Sequence, residues 1–129
     1  CILYSYIYNS IYLKVEHKIL LMKMYFLAWI MNKQITEMKK YGKFLHGREE
    51  GSFAFRKLRE EILNNLKTVF VFNFDDVLVL APAYCDEVFA NLHLEFPGRI
   101  KIASNITHAH RVAFETVEET REMKFEYEN

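Results

Sequence analysis

Cysteine, glycine and proline are scarce in this chain of 129 residues, which has two, four and two of them. The two cysteines, Cys1 and Cys85, form no disulfide framework and lack metal-site spacing, which fits a reducing, cytoplasmic setting. The four glycines match no phosphate-binding loop. Repeats and low-complexity linkers are absent as well, so the length and pattern predict one domain.

An excess of charge of one sign is also absent, because 17 lysines and arginines balance 17 aspartates and glutamates. This balance gives no support to nucleic-acid binding, and no nucleic-acid partner is predicted. The most apolar stretch, Ile19 to Met31, is interrupted by Lys23. It is shorter than the roughly 20 residues that a membrane span needs. For residues 31–129 we predict no membrane contact.

The first thirty residues differ in character from the rest, being rich in tyrosine, isoleucine and leucine without glycine or proline. The polar sequence that begins at Met31 is typical of the start of a soluble protein. Our preferred interpretation is that residues 1–30 lie outside the native domain, with translation starting at Met31, Met22 or Met24. Two alternatives remain open: a membrane anchor or signal-like segment, which lacks a small-residue cleavage site, and a packing helix or strand.

The stretch from Thr68 to Phe89 is the most informative part of the chain. A run that is apolar on both faces, Val69 to Phe72, precedes Asp75-Asp76, and a second apolar run leads to a helix start at Pro82. A strand that is apolar on both faces must be covered on both, which indicates a mixed or parallel sheet with helices against it. We predict an α/β fold with a small mixed sheet.

Periodicity predicts three helices and two strands in this domain. After a loop at 47–51, Ser52 caps a helix to about Leu66, and the strands are 68–74 and 99–103. The second helix starts at Pro82, and Asn105 or Thr107 caps the third. The predicted buried stripes are Phe55, Leu58, Ile62 and Leu66; Tyr84, Val88, Phe89 and Leu92; and Ile106, Ala109, Val112, Ala113 and Val117.

The end of the chain is acidic, with six acidic and two basic residues from Val112 onward. This pattern is typical of a solvated helix and tail. The predicted divisions are therefore an extra apolar segment at 1–30, a domain at 31–118 and an acidic tail at 119–129.

Few side chains suggest catalysis or metal binding. His108 and His110 are two apart, so on a helix they point away from each other and cannot share one ion. A shared ion stays possible only if the helix begins after them. Asp75 and Asp76 are adjacent after a strand, where aspartates usually satisfy turn amides. Cys85 lies near a helix start, which activates a thiol, but the carboxylates of Asp86 and Glu87 oppose that activation.

Asp86 and Glu87 have two interpretations. Acidic side chains in a first helical turn stabilise the helix by about 0.3–1 kcal/mol through its dipole. The alternative is a partner surface, because paired carboxylates at an exposed helix start can bind arginine or lysine from another chain.

The sequence from Asn73 to Phe89 resembles a bacterial STAS-like family of unknown function. The signature of that family is a hydrophobic strand with an Asp-Phe-type turn, a Val-led run and Ser-Phe-x-Asp-Glu-(Val/Ile)-Phe. Its counterparts here are 73–77 and Ala83-Tyr84-Cys85-Asp86-Glu87-Val88-Phe89. The similarity extends to roughly residues 40–118. It also includes the loop at 47–51, the strand that follows Pro97, and the residue Asn105.

The resemblance implies a STAS-type fold, a small sheet with helices on one side, that acts as a regulatory docking domain. It also implies a protein partner, such as a histidine-kinase-type ATPase. We predict no cofactor. STAS-type antagonists are switched by phosphorylation of a serine at this helix start. Ala83 stands at that position here, so that switch is lost while constitutive docking remains.

We therefore predict a non-enzymatic regulatory or scaffolding module. Its predicted partner-binding residues are Arg48, Pro82, Ala83, Tyr84, Asp86 and Glu87. The alternative is a metal- or nucleotide-binding domain that uses Asp75, Asp76, Asp86 and Glu87.

Overall fold

A computed structural model describes residues 14–23 and 32–128, and the chain divides into two compact units, 1–31 and 32–129. In the first unit, residues 14–23 form helix α1. The predictions made for residues 1–13 and 24–31 lie outside the described residues. Among the helices that the structure describes, none is long and apolar enough to cross a membrane.

The second unit is built on a four-stranded sheet in which all described strand pairs are parallel. Its strands are β1 (Asn32–Glu37), β3 (Thr68–Asn73), β5 (Ile100–Ala103) and β6 (Tyr127–Glu128), and they lie in that order. Two short strands, β2 (Phe44–Leu45) and β4 (Val79–Leu80), pair in parallel as a separate sheet. The predicted α/β class is confirmed. The described pairs are all parallel, which is one of the two arrangements, mixed or parallel, that the apolar strand indicated.

The α-helices of the second unit cover one face of its sheet. They are α2 (Arg48–Leu63), α3 (Pro82–Cys85), α4 (Asn91–Glu95) and α5 (His108–Arg121). A π-helical turn, Asp86–Ala90, joins α3 to α4, and we call the continuous segment 82–95 the central helix. Because the strand order follows the chain order without reversal, right-handed crossovers place every connecting helix on the same side. Side chains of β3 and β5 that point to this side, such as Phe70, Phe72 and Ile102, are fully buried.

Helix α2 starts earlier than the sequence predicts. Gly47 is its N-cap and Arg48 its first residue, so the predicted loop at 47–51 is the first helical turn. The helix ends at Leu63, and Leu66 is 70% exposed rather than buried. The buried stripe is Gly51, Ala54, Leu58 and Ile62. Gly51 allows a close approach, because a Cβ there would lie 3.1 Å from Cβ of Glu87.

The central helix matches its prediction most closely. Pro82 occupies the first turn, where its missing N–H breaks no helical hydrogen bond. The four residues of the predicted stripe are all buried: Tyr84, Val88, Phe89 and Leu92. The π-helical turn is an addition, and within it Val88, Phe89 and Ala90 are buried in succession.

The stripe of α5 is rotated from its predicted position. Thr107 caps the helix by accepting a hydrogen bond from the backbone N–H of His110, at 3.2 Å. Ala109 and Val112 are exposed. The buried residues are His110, Ala113, Phe114, Val117 and Glu118.

The C-terminal segment is part of the fold rather than a solvated tail. The predicted boundary at 118/119 falls inside α5, and β6 then joins the sheet beside β5. Phe125 is 5% exposed, and its backbone N–H donates to the buried carboxylate of Glu118 at 2.9 Å. Apolar and hydrogen-bonded anchors therefore outweigh the acidic composition of the segment.

Candidate functional site

A surface groove lies between the start of α2, the start of the central helix and the last turns of α5. Its volume is about 150 Å³. The residues that line it come from these three elements: Arg48, Pro82, Ala83, Asp86, Thr116, Val117 and Thr120. We call this surface the helix-start groove. Because α3 packs against both α2 and α5, the fold brings these distant parts of the chain together.

Most of the groove is uncharged and largely apolar. Thr116 donates its hydroxyl to the Val112 carbonyl at 2.8 Å, and Thr120 donates to the Thr116 carbonyl at 2.8 Å. Threonine hydroxyls often bond back to their own helix in this way. With those hydroxyls engaged, the threonines offer mainly methyl groups to a ligand, beside the ring of Pro82 and the methyl group of Ala83. The groove is therefore suited to an apolar side chain.

One end of the groove carries a network of charged groups. Nη1 of Arg48 lies 3.0 Å from Oδ2 of Asp86 and 3.6 Å from a carboxylate oxygen of Glu87. Nε of Arg121 lies 2.7 Å from the other Asp86 oxygen, and Nη2 of Arg121 lies 3.4 Å from the side-chain oxygen of Asn91. Both oxygens of Asp86 are thus engaged within the chain. The network links the first turn of α2, the central helix and the last turn of α5.

The charge environment favours the ionised form of Asp86. The hydrogen bond from Arg121, with a further one from Arg48, holds the pKa of this carboxyl below its usual value, although desolvation opposes the shift. A lowered folded-state pKa means that the folded protein releases this proton more readily than the unfolded chain does. The network therefore stabilises the fold fully above the unfolded pKa of about 3.9, and that contribution is lost as the pH falls through the folded pKa.

This predicts a difference in acid stability between the wild type and an Asp86→Asn variant. As the pH falls from about 5 to 2, the wild type should lose more of its free energy of unfolding than the variant. The variant has no ion pairs at position 86, so protonation cannot break them. Urea unfolding across this pH range measures the difference. Parallel pH profiles would contradict the assigned role of Asp86, since all other carboxyl groups are common to both proteins.

The structure brings four of the six predicted partner-binding residues into the groove: Arg48, Pro82, Ala83 and Asp86. Tyr84 is not among them, because it is 1% exposed and belongs to the core. The carboxylate of Glu87 lies at the Arg48 end of the network, and its Cβ faces Gly51 of α2. Arg48 itself lies on the first helical turn rather than on a loop.

The α5 side of the groove was not identifiable from the sequence. These residues, Thr116, Val117, Thr120 and Arg121, lie 34 to 39 positions after Pro82 in the sequence. Threonines on a helix surface have no distinctive signature. Arg121 and Asp86 are 35 positions apart. Only the packing of α5 against α3 makes them neighbours. No periodicity or motif in the sequence reports such a contact.

The other candidate residues do not assemble into a reactive site. Cys85 is fully buried, and desolvation raises the pKa of its thiol, which opposes reactivity. Asp75 accepts hydrogen bonds from the side chains of Asn73 at 3.1 Å and Asn105 at 3.4 Å, a strand-end role. Asp76 adopts a left-handed turn conformation with φ of 65°.

Histidines and carboxylates likewise form no metal-binding cluster in the part of the chain that the structure describes. His108 is exposed and His110 is buried, as expected for positions two apart on a helix. Burial lowers the pKa of His110, and a hydrogen bond with the Val77 backbone opposes that shift. His110 therefore belongs to the core, where its ring lies 6.0 Å from that of Phe74.

Comparison of the chain with protein-family models, with curated proteins and with solved structures finds no match.

Proposed function

We propose that residues 32–128 form a non-enzymatic protein-interaction module that docks a partner protein at the helix-start groove. One observation carries the proposal. Most of the groove is apolar, and Arg48, which is paired with Asp86, lies at one end of it. Pro82, Ala83 and Val117 supply apolar surface, and Arg48 supplies charge beside it. Such a pocket receives one anchoring side chain of a partner and orients a charged neighbour of that side chain.

The size of the groove favours a protein side chain over a small molecule. Small-molecule sites typically enclose about 300–1,000 Å³. The groove has about 150 Å³, which suits one large apolar side chain. Binding energy at protein interfaces concentrates in a few such anchors that fill pockets. We therefore assign an apolar anchor residue to the partner.

The charge of the partner follows from how the arginines are used. Asp86 is paired with Arg48 and Arg121, so the carboxylates face their own chain rather than a basic partner. The Arg48 side chain is 61% exposed, and its Nε and Nη2 donate to no described residue. These donors are available to a carboxylate, which guanidinium groups bind with defined geometry. We therefore expect an acidic residue close to the apolar anchor, not the lysine or arginine that the sequence suggested.

A regulatory or scaffolding role agrees with the resemblance of this segment to the STAS-like family, whose docking domains act beside ATPase partners. The helix start here holds Pro82 and Ala83 in place of a phosphorylatable serine. Without a hydroxyl at this point, docking would be constitutive. A histidine-kinase-type ATPase remains one candidate partner.

The test is affinity capture with the full 129-residue chain and with a Thr116→Arg variant, which places a bulky charge in the groove. We expect a protein retained by the wild type to be lost by the variant, by at least about tenfold in recovered amount, because an anchor pocket cannot accept a buried unpaired charge. Quantitative mass spectrometry of the eluates measures the loss.

Ser104→Arg is the matched control, since it makes a similar change at an exposed position outside the groove. The control should retain the partner at the wild-type level, and both variants should keep the wild-type melting temperature. Equal retention by Thr116→Arg and the wild type would contradict docking at this groove.

A further inference from the structure

A second cavity also borders the first turn of α2, and the proposed docking does not use it. Its volume is about 450 Å³, within the range of small-molecule sites. The described residues that line it include three aromatic rings, two carboxylates and one amine: Tyr41, Phe53, Tyr84, Glu49, Glu50 and Lys40.

The base of this cavity holds a polar atom without a partner. Tyr84 is 1% exposed, and its hydroxyl makes no hydrogen bond to any described residue. Tyr84 lines the cavity together with Tyr41 and Glu50. Burial raises the pKa of its hydroxyl, and these two neighbours raise it further. A buried hydroxyl without a partner lowers stability. A phenylalanine would fill the same core position without that penalty.

The walls of the cavity suit a cation. Glu49 and Glu50 form no salt bridge with any described residue. Nζ of Lys40 lies 3.9 Å from Oε2 of Glu61. Among the described lining residues, two carboxylates stand against one ammonium, a net charge of −1. Two of the rings contact a cation of the chain itself: Nζ of Lys40 is 5.3 Å from the Tyr41 ring centroid, and Nζ of Lys57, which is not among the described lining residues, is 5.6 Å from that of Phe53. A ligand cation would take the place of these ammonium groups on the rings.

Among organic cations, a guanidinium group uses all of these features together. It is planar and stacks on aromatic rings, and it carries five N–H donors. Those donors can reach a carboxylate and the oxygen of a tyrosine hydroxyl at the same time. An ammonium group is compact and more strongly hydrated, so it gains less from the rings. Anions are disfavoured by the two glutamates.

We propose that this cavity is a guanidinium-binding site, in which Glu50 pairs with the cation, Tyr41 and Phe53 contact its plane, and the Tyr84 hydroxyl accepts one of its N–H groups. The site is separate from the helix-start groove, so neither proposal depends on the other. The guanidinium belongs either to a free small molecule or to an arginine of another protein, and the two sources share this chemistry.

The test is a nuclear magnetic resonance titration of the full chain with three probes that differ in the head group. N-acetyl-arginine amide should produce saturable shifts of the Tyr41 and Phe53 ring signals. N-acetyl-lysine amide should bind more weakly, and the neutral N-acetyl-citrulline amide should not bind. Agmatine, a free guanidinium compound, then distinguishes the sources: tighter binding of agmatine favours a small molecule, and tighter binding of the capped arginine favours a protein.

Variants separate this site from general charge attraction. Glu50→Gln should weaken arginine-amide binding by about tenfold, because it removes a charge-assisted hydrogen bond. Glu60→Gln makes the same charge change at an exposed position outside the cavity and should leave the affinity within about twofold. Equal losses in the two variants would overturn the proposal, as would the absence of saturation up to about 10 mM probe.

The Tyr84→Phe variant distinguishes a ligand-binding role of the hydroxyl from a purely structural one. We expect the affinity for the arginine amide to fall by about threefold to tenfold, while the melting temperature stays the same or rises. Unchanged affinity, or a clear loss of stability, would overturn the role assigned to the hydroxyl.

Discussion

Replacement of Phe89 by alanine is expected to lower the free energy of unfolding by about 3–5 kcal/mol, the usual cost of removing a buried phenylalanine. Phe89 is fully buried in the central helix. Its ring lies 5.1 to 6.4 Å from four other rings, all of them in edge-on or tilted geometry: Phe72, Phe74, Phe114 and Tyr84. It therefore joins β3 to the central helix and α5, and the cavity left by alanine would loosen all three.

Urea unfolding of the full chain measures this change. Phe44→Ala is the matched control, because Phe44 is 55% exposed, and we expect a cost below about 1 kcal/mol for it. Domains of this size are stable by about 5–15 kcal/mol, so the Phe89 variant should unfold at a much lower urea concentration. Similar midpoints for the two variants would contradict the placement of Phe89 at the centre of the core.

Removal of residues 123–129 is expected to destabilise the domain by about 4–8 kcal/mol, which is comparable with its whole stability. The truncation deletes Phe125, whose ring packs 5.1 Å from that of Phe114. It also leaves the buried carboxylate of Glu118 without the backbone N–H of Phe125 and removes β6 from the edge of the sheet. The loss of the Phe125 ring and the unpaired Glu118 carboxylate both act on the same helix, α5, while the loss of β6 acts on the sheet.

Circular dichroism melting of the truncated chain tests this prediction, with Phe125→Ala to isolate the apolar part of the loss. Glu126→Ala serves as the control, since Glu126 is exposed and its removal changes only the charge of the segment. A truncated chain that melts like the wild type would mean that the segment is a solvated acidic tail, as its composition alone suggests.

The elements that the sequence predicted well are those in which local pattern and packing agree. The central helix carries an apolar stripe at helical spacing and a proline at its start, and both features act within the segment itself. The strand at Thr68–Asn73 was predicted from its apolar run, and Phe70, Val71 and Phe72 of that run are buried in the strand that lies between β1 and β5.

The errors arose where contacts from distant parts of the chain decide the structure. Gly47 and Gly51 indicate a loop locally, yet Gly51 is helical because its missing side chain lets α2 approach Glu87 closely. The acidic segment near Tyr127 joins the sheet because the Phe125 ring packs against the Phe114 ring of α5. In α5, the polar residues His110 and Glu118 are buried, and Glu118 accepts the backbone N–H of Phe125 there. A hydrophobic stripe cannot reveal the burial of a polar residue.

The candidate site was predictable on one side only. The helix start at Pro82 and Ala83, with Arg48 as a neighbour, followed from the sequence and its resemblance. The sequence also suggested that Asp86 would bind a basic partner, because the position of Arg121 could not be known. The contact between Arg121 and Asp86 changes the charge that the surface presents, so we now expect an acidic partner.

Site-specific photo-crosslinking from the groove tests the docking proposal most directly. A photoreactive amino acid at Thr120, on the wall of the helix-start groove, is compared with the same residue at Ser104, an exposed position outside both the groove and the second cavity. Docking at the groove predicts one dominant protein adduct from Thr120 and little from Ser104, with the crosslinked peptide of the partner containing an apolar residue next to an acidic one. No adduct from Thr120, or equal adducts from both positions, would contradict docking at the groove.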